Sequence, residues 1–259
     1  MESVFNLETF DIKLDTEYIG RNFIYSEEVS STNALLLDKE AGNIHGTTLL
    51  AEKQNKGHGR KERMWYSMKG LNLTFSVLLT NKRYFTKKIN LINFAAALAV
   101  ALSIENLYQL KTELKWPNDV LINRKKVSGI LIESVSKGEK LERVVVGIGL
   151  NVNQTTFQGS YNIKPTSLKN EIGHNIQREM LLAELLNVFE EIIEQIITNS
   201  KWVLKEWKER CRMIGEKISI TENNKVKNGI FDDIDDDGFL ILKMDKKTEK
   251  IYFGEVGKV

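Results

Sequence analysis

The sequence contains little cysteine, proline or histidine and carries almost no net charge. It has one cysteine, Cys211, with two prolines and three histidines among 259 residues. A single cysteine excludes a disulfide scaffold and a cysteine-rich metal site, and it is typical of the reducing cytosol, so we expect a cytoplasmic protein. The 37 basic and 35 acidic residues nearly cancel, which argues against a chain devoted to binding polyanions.

The sequence also lacks a hydrophobic run long enough to cross a membrane. Its most apolar segment, INLINFAAALAVALSI at residues 89–104, contains Asn90 and Asn93 and ends before Glu105. It falls short of the ~20 residues that a span needs, so we predict a buried core helix there and no membrane association. Acidic residues interrupt the N-terminal apolar runs, and we therefore expect no signal peptide.

The order of the predicted elements favours an α+β fold with a mixed β-sheet backed by helices. Strands and helices follow one another without the regular alternation of a doubly wound sheet. The predicted strands are 23–29, 47–54, 71–80, ELKW, DVLI, KVSGILIESV and 143–153, with a hairpin turn at Asn123 to Lys125. A capped helix begins near SSTN, an amphipathic helix covers 178–197, and a further helix contains Trp202 and Trp207.

The pattern changes after about Gly215. Four short segments, at 216–222, 227–234, 238–244 and 250–256, have strand character and are separated by polar or glycine turns. Such tightly spaced strands predict a small β-barrel. We therefore expect two domains, residues 1–212 and residues 213–259.

The most unusual local sequence is the basic loop, QNKGHGRKERMW at residues 54–65. Gly57 and Gly59 let the backbone approach a ligand and offer N–H groups to an anion, while Arg60 and Arg63 supply forked donors for carboxylate or phosphate. The loop does not match the phosphate-binding P-loop pattern. Alone, it is equally compatible with a solvated basic surface.

A second motif is KWPNDVLI at residues 115–122. Pro117 ends the preceding strand, so Asn118 and Asp119 leave it at a bend and can present an amide and a carboxylate. A β-bulge with an Asx turn would explain the same residues.

Two further stretches combine glycine with strand character. In KKVSGILIE, residues 125–133, Lys126 precedes an apolar strand in which Gly129 leaves room on the sheet face; a solvated edge lysine is the alternative. In VGIGLNVN, residues 146–153, two glycines weaken an apolar strand unless something lies on them, although close helix packing would also account for them.

Taken together and in this order, the motifs SSTN, QxxGxGRxxRxW, KWPNDV, a lysine before GILIE, and GIGLNVN resemble the biotin–protein ligases. The resemblance covers residues ~23 to 155 densely. It implies a core related to the class II aminoacyl-tRNA synthetases, followed by an SH3-like C-terminal domain. It also implies a two-step reaction with ATP, Mg²⁺ and biotin. Biotin becomes biotinyl-5′-AMP and is then transferred to a lysine of a biotin carboxyl carrier domain.

The resemblance also implies a set of site residues. Lys126, Arg60 and Asp119 would be catalytic, with Asp119 facing the carrier lysine. The implied biotin-binding residues are Ser31, Thr32, Asn33, Gln54, Gly57, His58, Gly59, Arg60, Lys126, Gly129 and Gly147. The implied nucleotide-binding residues are Arg60, Arg63, Trp65, Lys115, Asn118 and Asn151. No dedicated metal ligands are implied.

Two departures from the family pattern affect the basic loop. Many relatives have arginine where this chain has His58, and glycine where it has Glu62. Bifunctional relatives carry a winged helix before the first motif, which here begins near residue 30, so we expect no repressor activity and no specific DNA binding. The protein would act as a monomer or homodimer. In the free enzyme we expect the segment from Asn55 to Met64 to be mobile and to become ordered around biotin.

Two other functions have to be weighed against this one. Lipoate or octanoate ligases share the core, but they usually show an arginine pair and a triple-glycine run, which this sequence lacks. A nucleic-acid-binding module could use the basic loop and the barrel. The barrel segment, however, contains five aspartates between Asp232 and Asp237, which would repel phosphates.

Overall fold

The computed structural model describes residues 5–81, 89–138, 140–222, 225–245 and 247–258. Its main body is built on a seven-stranded sheet in the order β1-β2-β3-β7-β6-β5-β4. The strands are β1 Phe23–Val29, β2 Thr48–Gln54, β3 Leu73–Leu79, β4 Glu113–Lys115, β5 Asp119–Ile122, β6 Lys125–Lys137 and β7 Lys140–Leu150.

This sheet is mixed, as the sequence predicts. β1 and β2 run parallel, and the other neighbours are antiparallel. β7 lies in the middle and is rich in β-branched residues, and Val144, Val145 and Val146 are fully buried. Asn123 and Arg124 both adopt positive φ, which is the backbone geometry of a tight hairpin turn, and they join β5 to β6 as expected. The strand β7 was predicted over residues 143–153, whereas it begins at Lys140 and ends at Leu150.

Helices cover the sheet. They are α1 Leu7–Lys13, α2 Thr32–Leu37, α3 Asn90–Tyr108, α4 Leu168–Ile172, α5 Arg178–Thr198 and α6 Ser200–Arg210. The predicted apolar face of α5, including Leu182, Leu186 and Phe189, is completely buried. Helices α1 and α4 were not predicted from the sequence. Capping residues mark both of them, because the side chains of Asn6 and Ser167 accept hydrogen bonds from the first turns of these helices.

The apolar segment at residues 89–104 forms most of α3. Among the described residues, α3 is the one helix long and apolar enough to cross a membrane by length and composition, yet 67% of its most apolar window is buried inside the protein. Its alanines pack in the main core with the apolar residues of α5. Such burial is typical of the core helix of a globular domain.

The C-terminal part forms a separate antiparallel sheet in the order β11-β10-β9-β8-β12. Its strands are β8 Lys217–Glu222, β9 Lys225–Ile234, β10 Leu240–Met244, β11 Lys247–Ile251 and β12 Glu255–Lys258. The sheet therefore has five strands rather than the four predicted. The predicted last strand is divided because Gly254, at a φ of 152°, turns the chain between Ile251 and Glu255.

The two sheets meet next to the turn that joins β4 to β5. Trp116 Nε1 donates to the carbonyl of Gly238, which lies in the β9–β10 turn, at 3.4 Å. Asn90 at the start of α3 donates to the carbonyl of Asp237 in the same turn, at 3.2 Å. These contacts hold the second sheet against the segment that contains Pro117, Asn118 and Asp119.

Candidate active site

A cavity of about 1710 Å³ lies between the main sheet, the basic loop, residues 157–165 and the C-terminal sheet. Every site residue predicted from the sequence lines it except Gly57. The motifs thus converge on one space although almost 100 residues separate Ser31 from Lys126 along the chain. Sheet pairing brings them together, because β2, β5, β6 and β7 each deliver one motif to the same face.

Gly57, which was predicted to bind biotin, is the exception, and its backbone lies at the base of the basic loop. Its carbonyl accepts a hydrogen bond from Trp65 N at 3.0 Å, which closes the base of the basic loop. A Cβ at this position would lie 2.7 Å from Gln54 Nε2 and 3.1 Å from the Trp65 carbonyl. Gly57 therefore lets the two ends of the loop approach each other.

The basic loop is folded back on itself. Gly59 N donates to the Arg63 carbonyl at 2.7 Å, and His58 forms an isolated β-bridge with Met64. Between them a 3₁₀ turn covers Arg60–Glu62, with Lys61 and Glu62 in the left-handed region at φ 56° and 55°. Left-handed backbone favours glycine, so glycine would suit position 62 of this turn better than Glu62 does.

The cations of the basic loop contact the C-terminal sheet. Arg60 Nη2 donates to the Gly254 carbonyl at 3.1 Å, and Arg63 Nη2 lies 2.5 Å from Glu255 Oε2. Lys61 Nζ is 3.7 Å from the same carboxylate. Burial would raise the pKa of Glu255, but the hydrogen bond from Arg63 and the surrounding positive charges lower it overall. This contact was not predicted, because the sequence around the basic loop and the sequence around Glu255 give no sign that the two segments lie together.

At the centre of the cavity, Lys126 Nζ lies 2.6 Å from Asp119 Oδ1. The register of β5 against β6 places Asp119 opposite Gly129, and a bulge after Val120 sets Lys126 on the same side. A Cβ at Gly129 would lie 3.0 Å from Lys126 Nζ, so this glycine provides the space for the ammonium group. The Lys126 side chain is only 28% exposed, which excludes a fully solvated edge lysine.

Lys115 and Asn118 lie beside the Lys126–Asp119 pair and line the same cavity. Burial lowers the pKa of Lys115, although the negative charge of Asp119 opposes the shift. Asn118 donates through Nδ2 to the Ile130 carbonyl at 2.6 Å, and Ile130 N donates to the Asn118 carbonyl at 3.0 Å. The β-bulge weighed for this motif does occur one residue beyond Asp119, and it accompanies the cavity rather than replacing it.

Trp65 lies on the glycine face of β7. A Cβ at Gly149 would come within 2.2 Å of its indole ring, and Lys126 Nζ is 5.7 Å from the ring centroid. Trp65 Nε1 is buried and has no hydrogen-bond partner among the described residues. A buried donor without a partner costs free energy, which makes it a candidate contact for a ligand. Asn151 lies deeper and donates to the Thr166 carbonyl at 3.0 Å.

At the other end of the cavity, the polar residues at the start of α2 bond to its first turn and to neighbouring strands. Ser31 caps α2 by accepting from Ala34 N at 3.4 Å, and Thr32 N donates to Gln54 Oε1 at 2.7 Å. Asn33 lies over Gly147, where a Cβ would come within 2.3 Å of Asn33 Oδ1. The α2 residues and Gln54 that line this end are uncharged and rich in donors and acceptors, so they suit a neutral polar ring.

Several residues of the site were not predicted. Ser76 on β3 bonds to both Thr32 and Asn33, and Glu133 on β6 contacts Asn33 and His58. Phe157 and Tyr161, two aromatic residues of the segment 157–165, also line the cavity. Their aromatic character could have indicated a role in the site. Ser76 gave no such indication, because it resembles any small residue of a buried strand.

Comparison with known proteins agrees with this arrangement. Residues 25–151 match the model of the biotin/lipoate A/B protein ligase family, and residues 213–258 match the biotin protein ligase C-terminal domain. The chain is 33% identical over 247 residues to the bifunctional ligase/repressor BirA of Bacillus subtilis, covering 94% of this chain and 76% of the relative. It is 34% identical to the biotin–[acetyl-CoA-carboxylase] ligase of Paracoccus denitrificans, covering 82% and 90% of the two chains.

A solved structure shares the fold as well. The biotin protein ligase from Aquifex aeolicus, in complex with biotin and ATP, superposes with a TM-score of 0.80 at 29% identity, covering 92% of this chain and 98% of that one. The similarity extends over both sheets, and the two relatives named above align over 76% and 90% of their own length. On these grounds the chain belongs to the biotin protein ligase family.

Proposed function

We propose that the protein activates biotin with ATP and transfers it to a specific lysine of a biotin carboxyl carrier domain. The observation that carries this proposal is the shape and polarity of the cavity described above. Its neutral end, around Asn33, suits the ureido ring of biotin. Its cationic end, with Lys126 and the arginines of the basic loop, suits a carboxylate next to a phosphate.

In the first step, a biotin carboxylate oxygen forms a bond to the α-phosphorus of ATP and pyrophosphate leaves. Both reacting groups are anionic, so they repel each other until cations lie between them. Lys126 supplies an ammonium group beside them, and Arg60 and Arg63 supply forked donors to phosphate oxygens. Trp65 covers the mixed anhydride from the sheet side, and its unpartnered Nε1 offers one more donor. Lys115, Asn118 and Asn151 complete the nucleotide side.

In the second step, the amine of the carrier lysine attacks the acyl carbon of biotinyl-5′-AMP, and AMP leaves. A lysine amine has a pKa of about 10.4, so it arrives protonated and must lose a proton before it attacks. Asp119 is the carboxylate placed to orient that amine and to accept the proton. Its contact with Lys126 would then loosen as the carrier lysine enters.

Mg²⁺ is a further part of the proposal. The described residues contain no group of three or more His, Cys, Asp or Glu side chains placed to hold a metal ion. Mg²⁺ retains several waters and takes oxygen ligands from substrate phosphates, so the ion would enter with ATP and neutralise phosphate charge.

The proposal also covers the domain boundaries, the cellular location, the oligomeric state and the partner of the protein. Residues 1–212 would form the catalytic domain and residues 213–259 an SH3-like domain, which the match at residues 213–258 supports. We place the protein in the cytoplasm, as a monomer or homodimer that binds no specific DNA. The carrier domain of a biotin-dependent carboxylase is its proposed partner.

The direct experiment is incubation with labelled biotin, MgATP and a carrier domain, followed by electrophoresis. We expect the label on the wild-type carrier and none on a carrier whose acceptor lysine is replaced. Labelled lipoate provides the matched substrate control, since the family model also covers lipoate ligases. Transfer of lipoate alone would overturn the proposal.

A further inference from the structure

Glu133 takes no part in the steps above, and it is not among the residues that line the cavity. It lies on β6, two residues beyond Leu131, with its side chain 32% exposed. Its carboxylate nevertheless contacts both of the elements that would enclose the ring end of biotin. Oε2 accepts a hydrogen bond from Asn33 Nδ2 at 2.7 Å, and Oε1 lies 3.7 Å from His58 Nε2 of the basic loop.

The first contact determines which way the Asn33 amide faces. A carboxylate can only accept hydrogen bonds, so the amide NH₂ must point towards Glu133 and the Leu131 carbonyl, which is 3.3 Å away. Asn33 Oδ1 then faces the Ser76 hydroxyl at 2.6 Å. The reversed amide would place its oxygen against two acceptors, which is unfavourable.

Strand register explains why one amide can make all these bonds. Ser76 on β3 and Leu131 on β6 are both paired with Gly147 on β7. The Asn33 amide lies across β7 at this glycine and reaches a partner on each neighbouring strand. Glu133 provides the negative charge at one end of that bridge, and Asn33 itself lines the cavity.

The second contact joins the same carboxylate to the basic loop. His58 is one of the loop residues that line the cavity, and its side chain is 26% exposed. Its other ring nitrogen, Nδ1, lies 3.2 Å from the Lys56 carbonyl within the loop. A move of His58 away from the sheet would break the contact of the loop with the Glu133 carboxylate.

We propose that Glu133 is a positioning residue for biotin: it fixes the orientation of the Asn33 amide and, through His58, ties the basic loop to that side of the cavity. The proposal rests on the proposed function and adds a residue to it. Glu133 would act on biotin binding only through these two neighbours, without touching the reacting atoms.

The test compares Glu133→Gln with wild type and with Glu142→Gln as a matched control. Gln keeps the shape of Glu133, but its amide can donate as well as accept, so the Asn33 amide is free to reverse. Glu142 lies on β7 of the same hairpin and pairs with Lys39 outside the cavity. We expect the Kd for biotin, measured by calorimetry, to rise about fivefold or more in Glu133→Gln, as loss of a charged hydrogen-bond acceptor does. The KM for ATP and the melting temperature should stay at wild-type values, as should all three quantities in Glu142→Gln.

Repeating the comparison in an Asn33→Ala background separates positioning from a general structural effect. Asn33→Ala removes the route through Asn33 and leaves the contact with His58, so Glu133→Gln should raise the biotin Kd by a smaller factor there than in the wild-type background. An unchanged Kd in Glu133→Gln alone would overturn the inference, as would equal losses in both backgrounds or a parallel rise in the KM for ATP. Failure of the wild-type protein to bind biotin would instead overturn the proposed function, and the inference with it.

Discussion

The contact between the basic loop and Glu255 predicts how readily the loop opens. In Glu255→Gln the shape of the side chain is kept while its charge is removed. The variant loses the charged hydrogen bond to Arg63 and the attraction of Lys61, and it keeps the bond from Arg60 to the Gly254 carbonyl. The loop should therefore open more often without losing its fold.

The expected change in the open population follows from the solvent exposure of the three charged side chains. The side chains of Arg63 and Lys61 are 55% and 48% exposed, and that of Glu255 is 25% exposed, so solvent screens the pair strongly. Such pairs contribute ~0.2–1 kcal/mol. Since ~1.4 kcal/mol corresponds to a tenfold change in an equilibrium, the open population should rise by up to about fivefold.

Limited trypsin digestion measures this population, because Lys56, Arg60, Lys61 and Arg63 are cleavage sites within the loop. When opening and closing are fast, the rate of cleavage follows the open fraction. We expect Glu255→Gln to be cut up to about fivefold faster than wild type. Raising the salt concentration should bring the two rates together because salt screens the pair.

Glu249→Gln is the matched control, since Glu249 pairs with Lys227 and Lys247 in the same sheet, away from the loop. Its cleavage rate should equal that of wild type. Biotin should slow cleavage in all three proteins. If Glu255→Gln were cut no faster than the control at low salt, the contact would not hold the loop and the reasoning from geometry would be wrong.

Three further predictions concern single side chains. Lys126→Ala should slow biotin-dependent pyrophosphate release by ~10²-fold or more, as loss of an electrostatic donor can. A near-normal rate would mean that Lys126 has only a structural role. Asp119→Asn should reduce transfer from preformed biotinyl-5′-AMP more than adenylate synthesis, whereas equal losses would assign Asp119 to support of Lys126. Burial raises the pKa of the Cys211 thiol from 9.0 to about 11, so its contribution to stability is fully present below pH 9.0 and is lost as pH rises through about 11. Urea unfolding should therefore show wild type losing ~2–3 kcal/mol relative to Cys211→Ala over that range, and a constant difference would contradict the shift.

The strands and helices that could be predicted are those whose pattern is strong within a short window. The apolar face of α5 and the β-branched run of β7 depend on local periodicity, and both were found. The fifth strand of the C-terminal sheet was missed because a single glycine, Gly254, divides a continuous strand-like segment. Alternation of residue types contains no information about such a turn.

The candidate site shows the same limit. Motifs that are contiguous in sequence, such as QNKGHGRKERMW and KWPNDV, identified residues that do meet in one cavity. Ser76, Glu133 and Glu255 were missed because each belongs to the site through a contact with a distant residue. Those contacts depend on strand register and on the packing of the second sheet, and neither follows from the residue types nearby.

The two glycines of β7 connect these points. Gly147 and Gly149 are two residues apart, so both face the same side of the sheet, about 7 Å from each other. The space above Gly147 is filled by Asn33 and the space above Gly149 by Trp65, whose ring also lies close to Lys126. A strand rich in β-branched residues thus carries two gaps, each filled by a side chain from another element. This short glycine pattern therefore sets the distance between Asn33 at the neutral end of the cavity and Trp65 beside the charged end.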